Sequence, residues 1–379
     1  MSEEILSPDD LIQAVDRKIT GIRTKSNDFS FNELADMYES EELIIDPEFQ
    51  RMFRWTEGAQ SRFVESLLLE LPVPPIFLIE REDRVYELID GLQRISSFLH
   101  FRGELKVNGD LQEPLVLSDC DIVPELNGHT YASLPRALEI KIKRSYIRAE
   151  ILRKESDPRL RYYMFKRLNT GGEQLSKQEV RNATIRLLSN KFNQYMIDLA
   201  RNPNFAYCVE TLTEKAKNEK FDQELVLRFF AFKNVGGTYK HDIADFLTDY
   251  MEAVSDPSGL VQFDFEREAK TFEKTFEVLQ KVGEETGFAQ KIMGTVSKRG
   301  EPRWQFSVYH FEGIALGVQN ILDRIDPENE EHITALANVV KQGKIDQGFL
   351  QATGGGKNDR ISLQVRVGYF ADRFAEALA

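Results

Sequence analysis

Asp90, Gly91, Gln93 and Arg94 stand within five residues of one another in the run ELIDGLQRISSF. A carboxylate, a glycine, an amide and a guanidinium thus follow an apolar strand-like segment and open a helical pattern. The first turn of a helix has free backbone N–H groups and a partial positive charge, so it favours anions and disfavours a cation. Arg94 sits in that turn. A phosphate seated there reverses the sign, because the amides and the guanidinium converge on one anion. A purely structural reading competes with this one. Asp90 as N-cap, answered by Gln93 in a capping box, with Gly91 easing the turn, accounts for three of the four residues and leaves Arg94 unexplained.

Two further junctions offer matching chemistry. PEFQRMFRW presents Gln50, Arg51, Arg54 and Trp55 after a strand, and FKRLNTGGEQLS presents Arg167, Asn169, Thr170, Gly171 and Gly172 between two helices. Backbone N–H groups and the next helix start in the second could hold a phosphate or a ribose. A surface loop with a Trp anchor, and a glycine C-cap, are the plain structural readings of these two segments.

The elements that position these residues follow from local signals. The first 40 residues hold two amphipathic helical stretches, the second starting after Ser30. ELII is a short strand broken at Asp46-Pro47. Thr56 caps a helix bearing Phe63, Leu67 and Leu71, which Pro72, Pro74 and Pro75 end. IFLI and VYELI form a hairpin, and the DGLQR helix runs to about Phe101. A polar, looped stretch from Arg102 to Gly128 precedes a short Ser-capped helix, SLPRALEIKIK, and the strand SYIRAEIL. Asp157, Pro158 and the glycine pair delimit the next helix, and Ser176 with Glu179 forms a capping box. Beyond about residue 177 the three-to-four spacing is nearly continuous. The last helix turns Leu363, Val367, Phe370 and Phe374 inward. The expected organisation is α+β: an α/β domain over 1–175, with its motifs in 44–185, and a helical domain over 176–379.

Composition narrows the function classes. With 49 Lys and Arg against 62 Asp and Glu, the net charge of −13 excludes a protein that coats nucleic acid with its whole surface. Arg136 to Arg167 nevertheless carries eleven Lys or Arg against four Asp or Glu, while 242–277 and 323–331 are acidic, as a basic pocket on an acidic body would be. No apolar run approaches the roughly 20 residues of a membrane span. The acidic start MSEEILSPDD has no secretory leader, and Cys120 and Cys208 lack a CxxC partner, so a cytoplasmic protein without a disulfide framework is expected.

Four segments in order, DPEFQRMFRW, SLLLELPVPPIFL, YELIDGLQRISSF and FKRLNTGGEQLSKQEVRNA, resemble the ParB/sulfiredoxin-like domain of the GmrSD-type restriction family over about residues 30–185. GGGKNDRISLQVRVGYF is similar to the end of members that carry this domain alone. The resemblance implies a ParB/sulfiredoxin-like fold and a role in prokaryotic defence against phage and modified DNA. It also implies nucleoside triphosphate binding, and in several members hydrolysis, through an Asp-Gly-Gln-Gln-Arg motif. Asp90, Gly91, Gln93 and Arg94 match that motif, Gln50 and Arg51 its Phe-Gln-Arg, and Asn169, Gly171 and Gly172 its Asn-Thr-Gly-Gly. Leu92 departs from the family by replacing the first glutamine, which touches turnover more than binding.

The roles implied are these. Arg94 and Arg51 clamp phosphates, with Arg54, Arg167 and Thr170 in support, and offset transition-state charge. Asp90 holds Mg²⁺ through water or orients the attacking water. Gln93 and Gln50 position water or phosphate oxygens, and Asn169 reads ribose or base. None of the five histidines falls in a His-Asn-His nuclease arrangement, and TGGGKN is not a P-loop, since Gln351 and Asn358 replace its first glycine and its hydroxyl. Two function classes stay open. One is a triphosphate-hydrolysing regulatory subunit that controls a separately encoded effector such as a nuclease. The other is a non-hydrolysing module that binds nucleotide or DNA as a sensor or scaffold. A homodimer through apolar stripes such as Phe229–Phe232 is a further expectation.

Overall fold

The chain is described here by a computed structural model covering residues 7–19, 23–45, 53–81, 83–107, 109–156, 176–186, 188–239, 242–256, 259, 261–297 and 299–379. It forms two compact units, Met1–Glu173 and Gln174–Ala379.

The first unit is α+β. Its strands are β1 (Thr24–Ser30), β2 (Leu43–Ile44), β3 (Ile76–Glu80), β4 (Tyr86–Asp90), the two-residue pair β5 (Lys106–Val107) and β6 (Asp110–Leu111), and β7 (Tyr146–Leu152). Its helices are α1 (Pro8–Ile19), α2 (Phe31–Glu39), α3 (Glu57–Leu68), α4 (Leu92–Arg102) and α5 (Arg136–Arg144). Five strands form one mixed sheet in the order β1-β7-β3-β4-β2. β1 and β7 are antiparallel, β7 and β3 parallel, β3 and β4 antiparallel, and β4 and β2 parallel. Ile76, Leu78, Leu88, Ala149 and Ile151, all buried, form the sheet's part of the core, and Phe31, Val64, Phe98 and Leu99 cover it from α2, α3 and α4.

Local chemistry starts these helices as expected at two places. The Ser30 and Thr56 hydroxyls accept from the amides of Glu33 and Ala59. Elsewhere the structure corrects the sequence reading. The two helices expected in the first 40 residues form as α1 and α2, but the unforeseen β1 lies between them, a polar strand, TKSNDFS, drawn into place by its full-length pairing with β7. α5 has Pro135, not a serine, at its cap position, and Ser133 closes a short 3-10 turn ahead of it.

The second unit is predominantly helical: α6 (Lys177–Ile185), α7 (Asn190–Ala200), α8 (Pro203–Cys208), α9 (Glu214–Asn218), α10 (Phe221–Val235), α11 (Ile243–Ser255), α12 (Phe265–Thr286), α13 (Val308–Gly317), α14 (Glu330–Gly343), α15 (Gln347–Leu350) and α16 (Arg360–Ala377). A hairpin of β8 (Gly294–Val296) and β9 (Pro302–Phe306), unforeseen in the sequence, interrupts them. The expected capping box at Ser176 and Glu179 opens α6. The Phe229–Phe232 stripe is not on the surface. Phe229 and Phe230 are buried, with Phe272 and Phe276 against Phe229 at ring separations of 5.4 and 5.8 Å, so the face offered for a dimer is this unit's own core. α13 and α16 approach so closely that a Cβ on Gly317 would lie 2.6 Å from that of Phe370.

A chain of alternating charges runs through this core. Arg181 Nη2 lies 2.6 Å from Glu224 Oε2, Arg228 donates to both Glu224 and Glu312 at 2.9–3.0 Å, and Arg366 Nε reaches Glu312 Oε2 at 2.8 Å. Burial pushes the Glu224 carboxyl up, and Arg228 and Arg181 outweigh it and hold it below the usual carboxylate range. Arg366, 1% exposed, takes an inward position on α16, whereas Val367, expected there, is half-buried. Among the described residues no helix is long and apolar enough to cross a membrane.

Candidate functional site

The candidate site lies where β4 hands over to α4. The β3–β4 register shifts between Phe77 and Leu78, so Asp90 ends opposite Phe77. The chain then turns sharply at Gly91, which takes the helix cap position with φ 106°. An added Cβ there would lie 2.3 Å from Ile76 Cγ2, in a backbone region that L side chains rarely adopt. Glycine is thus required for both conformation and space. Asp90 is not the N-cap that the capping-box reading expects: it belongs to β4, and α4 starts with no side-chain cap at all.

The pairing of Asp90 explains much of Arg94's placement. Arg94 Nη2 donates to Asp90 Oδ2 at 2.9 Å and to the Pro75 carbonyl at 3.2 Å. Asp90 stands just ahead of the helix start, so its carboxylate offsets the cation that the dipole disfavours there. The saturation is incomplete. Arg94 Nε is buried and has no partner, while Asp90 keeps 36% of its side chain exposed. An ion pair this open contributes about 0.3–1 kcal/mol. The uncapped amides of the first α4 turn, a buried guanidinium edge and an accessible carboxylate therefore share one corner.

Gln93 ties a second segment to this corner. Its Oε1 accepts from the amides of Arg54 and Trp55 at 3.1 and 3.0 Å. The Trp55 carbonyl in turn accepts from Gln60 Nε2 at 2.8 Å, and Gln60 Oε1 lies 2.8 Å from His100 Nδ1. Gln60 and His100, on α3 and α4, therefore hold the Arg54 segment in place. Sequence reasoning missed both, since a polar pair 40 residues apart leaves no local signal. Arg54 itself is exposed. Leu92, at the position where the motif departs from the family, is 4% exposed and belongs to the core.

Of the residues singled out from the sequence, Arg54, Asp90, Gly91, Gln93 and Arg94 are thus brought together. Gln50, Arg51, Arg167, Asn169, Thr170, Gly171 and Gly172 lie outside the described residues. A groove of about 950 Å³ in the same unit is lined by Leu71, Pro72, Pro75, Lys141, Arg144 and Arg148 among others. It shares Pro75 with the Arg94 corner but takes in none of Asp90, Gly91, Gln93 or Arg94. No group of three or more metal-ligating side chains occurs among the described residues. Asp90 alone fits Mg²⁺ in the manner usual for that ion, one carboxylate completed by water and substrate phosphates. Both cysteines are buried, and burial pushes the Cys120 thiol up to about 11 and raises that of Cys208 further, which favours the thiol over the thiolate.

Comparison with known proteins places this geometry in a family. Residues 31–186 match the family model described as GmrSD restriction endonuclease, N-terminal domain. The matched stretch takes in every strand of the five-stranded sheet except β1, together with the β4–α4 corner and α6. No curated protein and no solved structure matches the chain. Residues 31–186 of this chain are a GmrSD N-terminal domain, a domain of restriction-type defence systems.

Proposed function

We propose that this domain binds the phosphates of a nucleoside triphosphate at the β4–α4 corner and hydrolyses it, and that its nucleotide state controls a separately encoded effector, such as a nuclease. The observation that carries the reading is the half-satisfied Asp90–Arg94 pair at an uncapped helix start. A phosphate offers Arg94 more charge and more acceptor oxygens than one carboxylate, and the first amides of α4 add to it. Arg94 then exchanges Asp90 for phosphate. The released carboxylate is free to take a proton from, or orient, the attacking water. Asp90 is the residue that would hold Mg²⁺, which would supply charge neutralisation, and in that case the carboxylate would orient the water rather than take its proton. Arg94 offsets the charge that develops on the transferred phosphoryl group. Gln93 has its carbonyl oxygen engaged by Arg54 and Trp55, so its part is to hold Arg54 at the corner.

A second reading is binding without turnover, as sensor or scaffold, and one observation favours it. Leu92 lies in the core, so no side-chain amide at that position can orient water. Purified protein with Mg²⁺ and each of the common triphosphates separates the readings. The first predicts a thermal shift together with released phosphate, both lost in Arg94→Ala. A shift with no released phosphate selects the second. No shift with any triphosphate defeats both, and binding of a labelled DNA duplex in its place would move the site to DNA.

A further inference from the structure

The second unit contains a polar cluster that no part of the phosphate reading uses. A pocket of about 790 Å³, within the range of small-molecule sites, is lined by the β8–β9 hairpin, the start of α13, and residues 344–354. Lys344 and His310 are among its lining residues. Lys344 is 0% exposed, and its ammonium spends one of three donors on the Gly294 carbonyl at 2.5 Å, with Phe288 as an aromatic face 5.2 Å away. No carboxylate pairs with it among the described residues. His310 is 3% exposed, and both of its ring nitrogens are buried without a partner. A buried cation ordinarily has a counter-charge, and a buried imidazole ordinarily has at least one hydrogen bond. A cation without a counter-charge and an imidazole without a hydrogen bond thus line one hollow, beside the start of the ten-residue helix α13, where the Ser307 hydroxyl accepts from the His310 amide.

We infer that this pocket is an anion site, taking the carboxylate or phosphate head of a small molecule on Lys344, His310 and the α13 start. The body of the ligand would rest on Val296, Phe306, Val308 and Ile345. Neither nitrogen-bearing end reaches the accessible surface, so seating the anion includes a local opening of the wall above them. Burial brings the Lys344 amine down to about 7, and burial and then Lys344 itself hold His310 well below its usual value. Tyr309, whose hydroxyl donates to the Gly354 carbonyl at 2.8 Å, is the remaining titratable group in the lining. An arriving anion restores the charged form of Lys344, so binding above neutrality takes up a proton.

The test is calorimetric titration of the full chain with inorganic phosphate and, separately, with acetate, at matched ionic strength in two buffers of different ionisation enthalpy. The expected result is heat with at least one anion, uptake of about one proton per anion at pH 8, and roughly tenfold or greater weakening in Lys344→Met. The same heat persists in Arg94→Ala, which separates this pocket from the β4–α4 corner. The preferred anion names the head group. No heat with either anion overturns the inference, as does unchanged affinity in Lys344→Met or heat that vanishes in Arg94→Ala. If Lys344→Met fails to fold, the proton count on the unmodified chain decides, and zero uptake at pH 8 overturns it.

Discussion

Arg94 and Arg366 are both helical arginines paired with a carboxylate, and they are built for opposite purposes. Arg366 is 1% exposed and bonds Glu312 with two nitrogens while its third reaches the carbonyls of Ala352 and Lys357. Arg94 stands 16% exposed at a strand end, bonds Asp90 with one nitrogen, and leaves Nε without an acceptor. A fully enclosed, fully bonded arginine can only hold the fold. A partly open one with an idle donor can exchange its partner at little cost. The contrast ties function to incomplete satisfaction rather than to charge.

Breaking each side of the comparison should separate stability from binding. The largest effect is expected from Glu312→Ala, which leaves Arg228 and Arg366 facing each other without their shared carboxylate. A loss of about 3–5 kcal/mol should appear as a much lower denaturant midpoint for the helical unit. Gly91→Ala comes next, since the new Cβ meets Ile76 and adopts an unfavourable φ. We expect a loss of about 2–3 kcal/mol, read as a lower melting temperature.

Lys344 gives a pH signature of defined sign. Its folded amine titrates near 7 and the unfolded one near 10.5, so between these values the unfolded chain holds the extra proton and stability rises with pH. The slope from this group approaches about 1.4 kcal/mol per pH unit, measured by urea unfolding across pH 7–10. His310, also depressed, extends the fall into acid. Lys344→Met should flatten the alkaline slope. Arg94→Ala lies at the small end, with a stability change under about 1 kcal/mol, although it should remove triphosphate binding.

The parts of this design written in local sequence were legible. The β3–β4 hairpin, the Thr56 and Ser176 caps, and glycine at the β4–α4 turn each rest on neighbours a few residues apart. The parts written in distant pairing were not. β1 carries a buried apolar side chain only at Phe29 and exists through its register with β7, with Asp28 held by Arg148 at 3.0 Å from 120 residues away. Nothing near Arg366 in the chain marks it as an inward-facing residue, because its partner Glu312 stands 54 residues earlier. At the site itself, the residue types marked the corner, but the exchange of Asp90 from cap to ion-pair partner and the use of Gln93 as an anchor for Arg54 needed coordinates.

The most direct test is a side-by-side triphosphate titration of the unmodified chain and Arg94→Ala, followed by thermal shift in the presence of Mg²⁺. The account predicts saturable stabilisation of the former and none of the latter, with both folding to nearly the same melting temperature without nucleotide. Equal stabilisation of the two would contradict it, because the open arginine would then hold no phosphate.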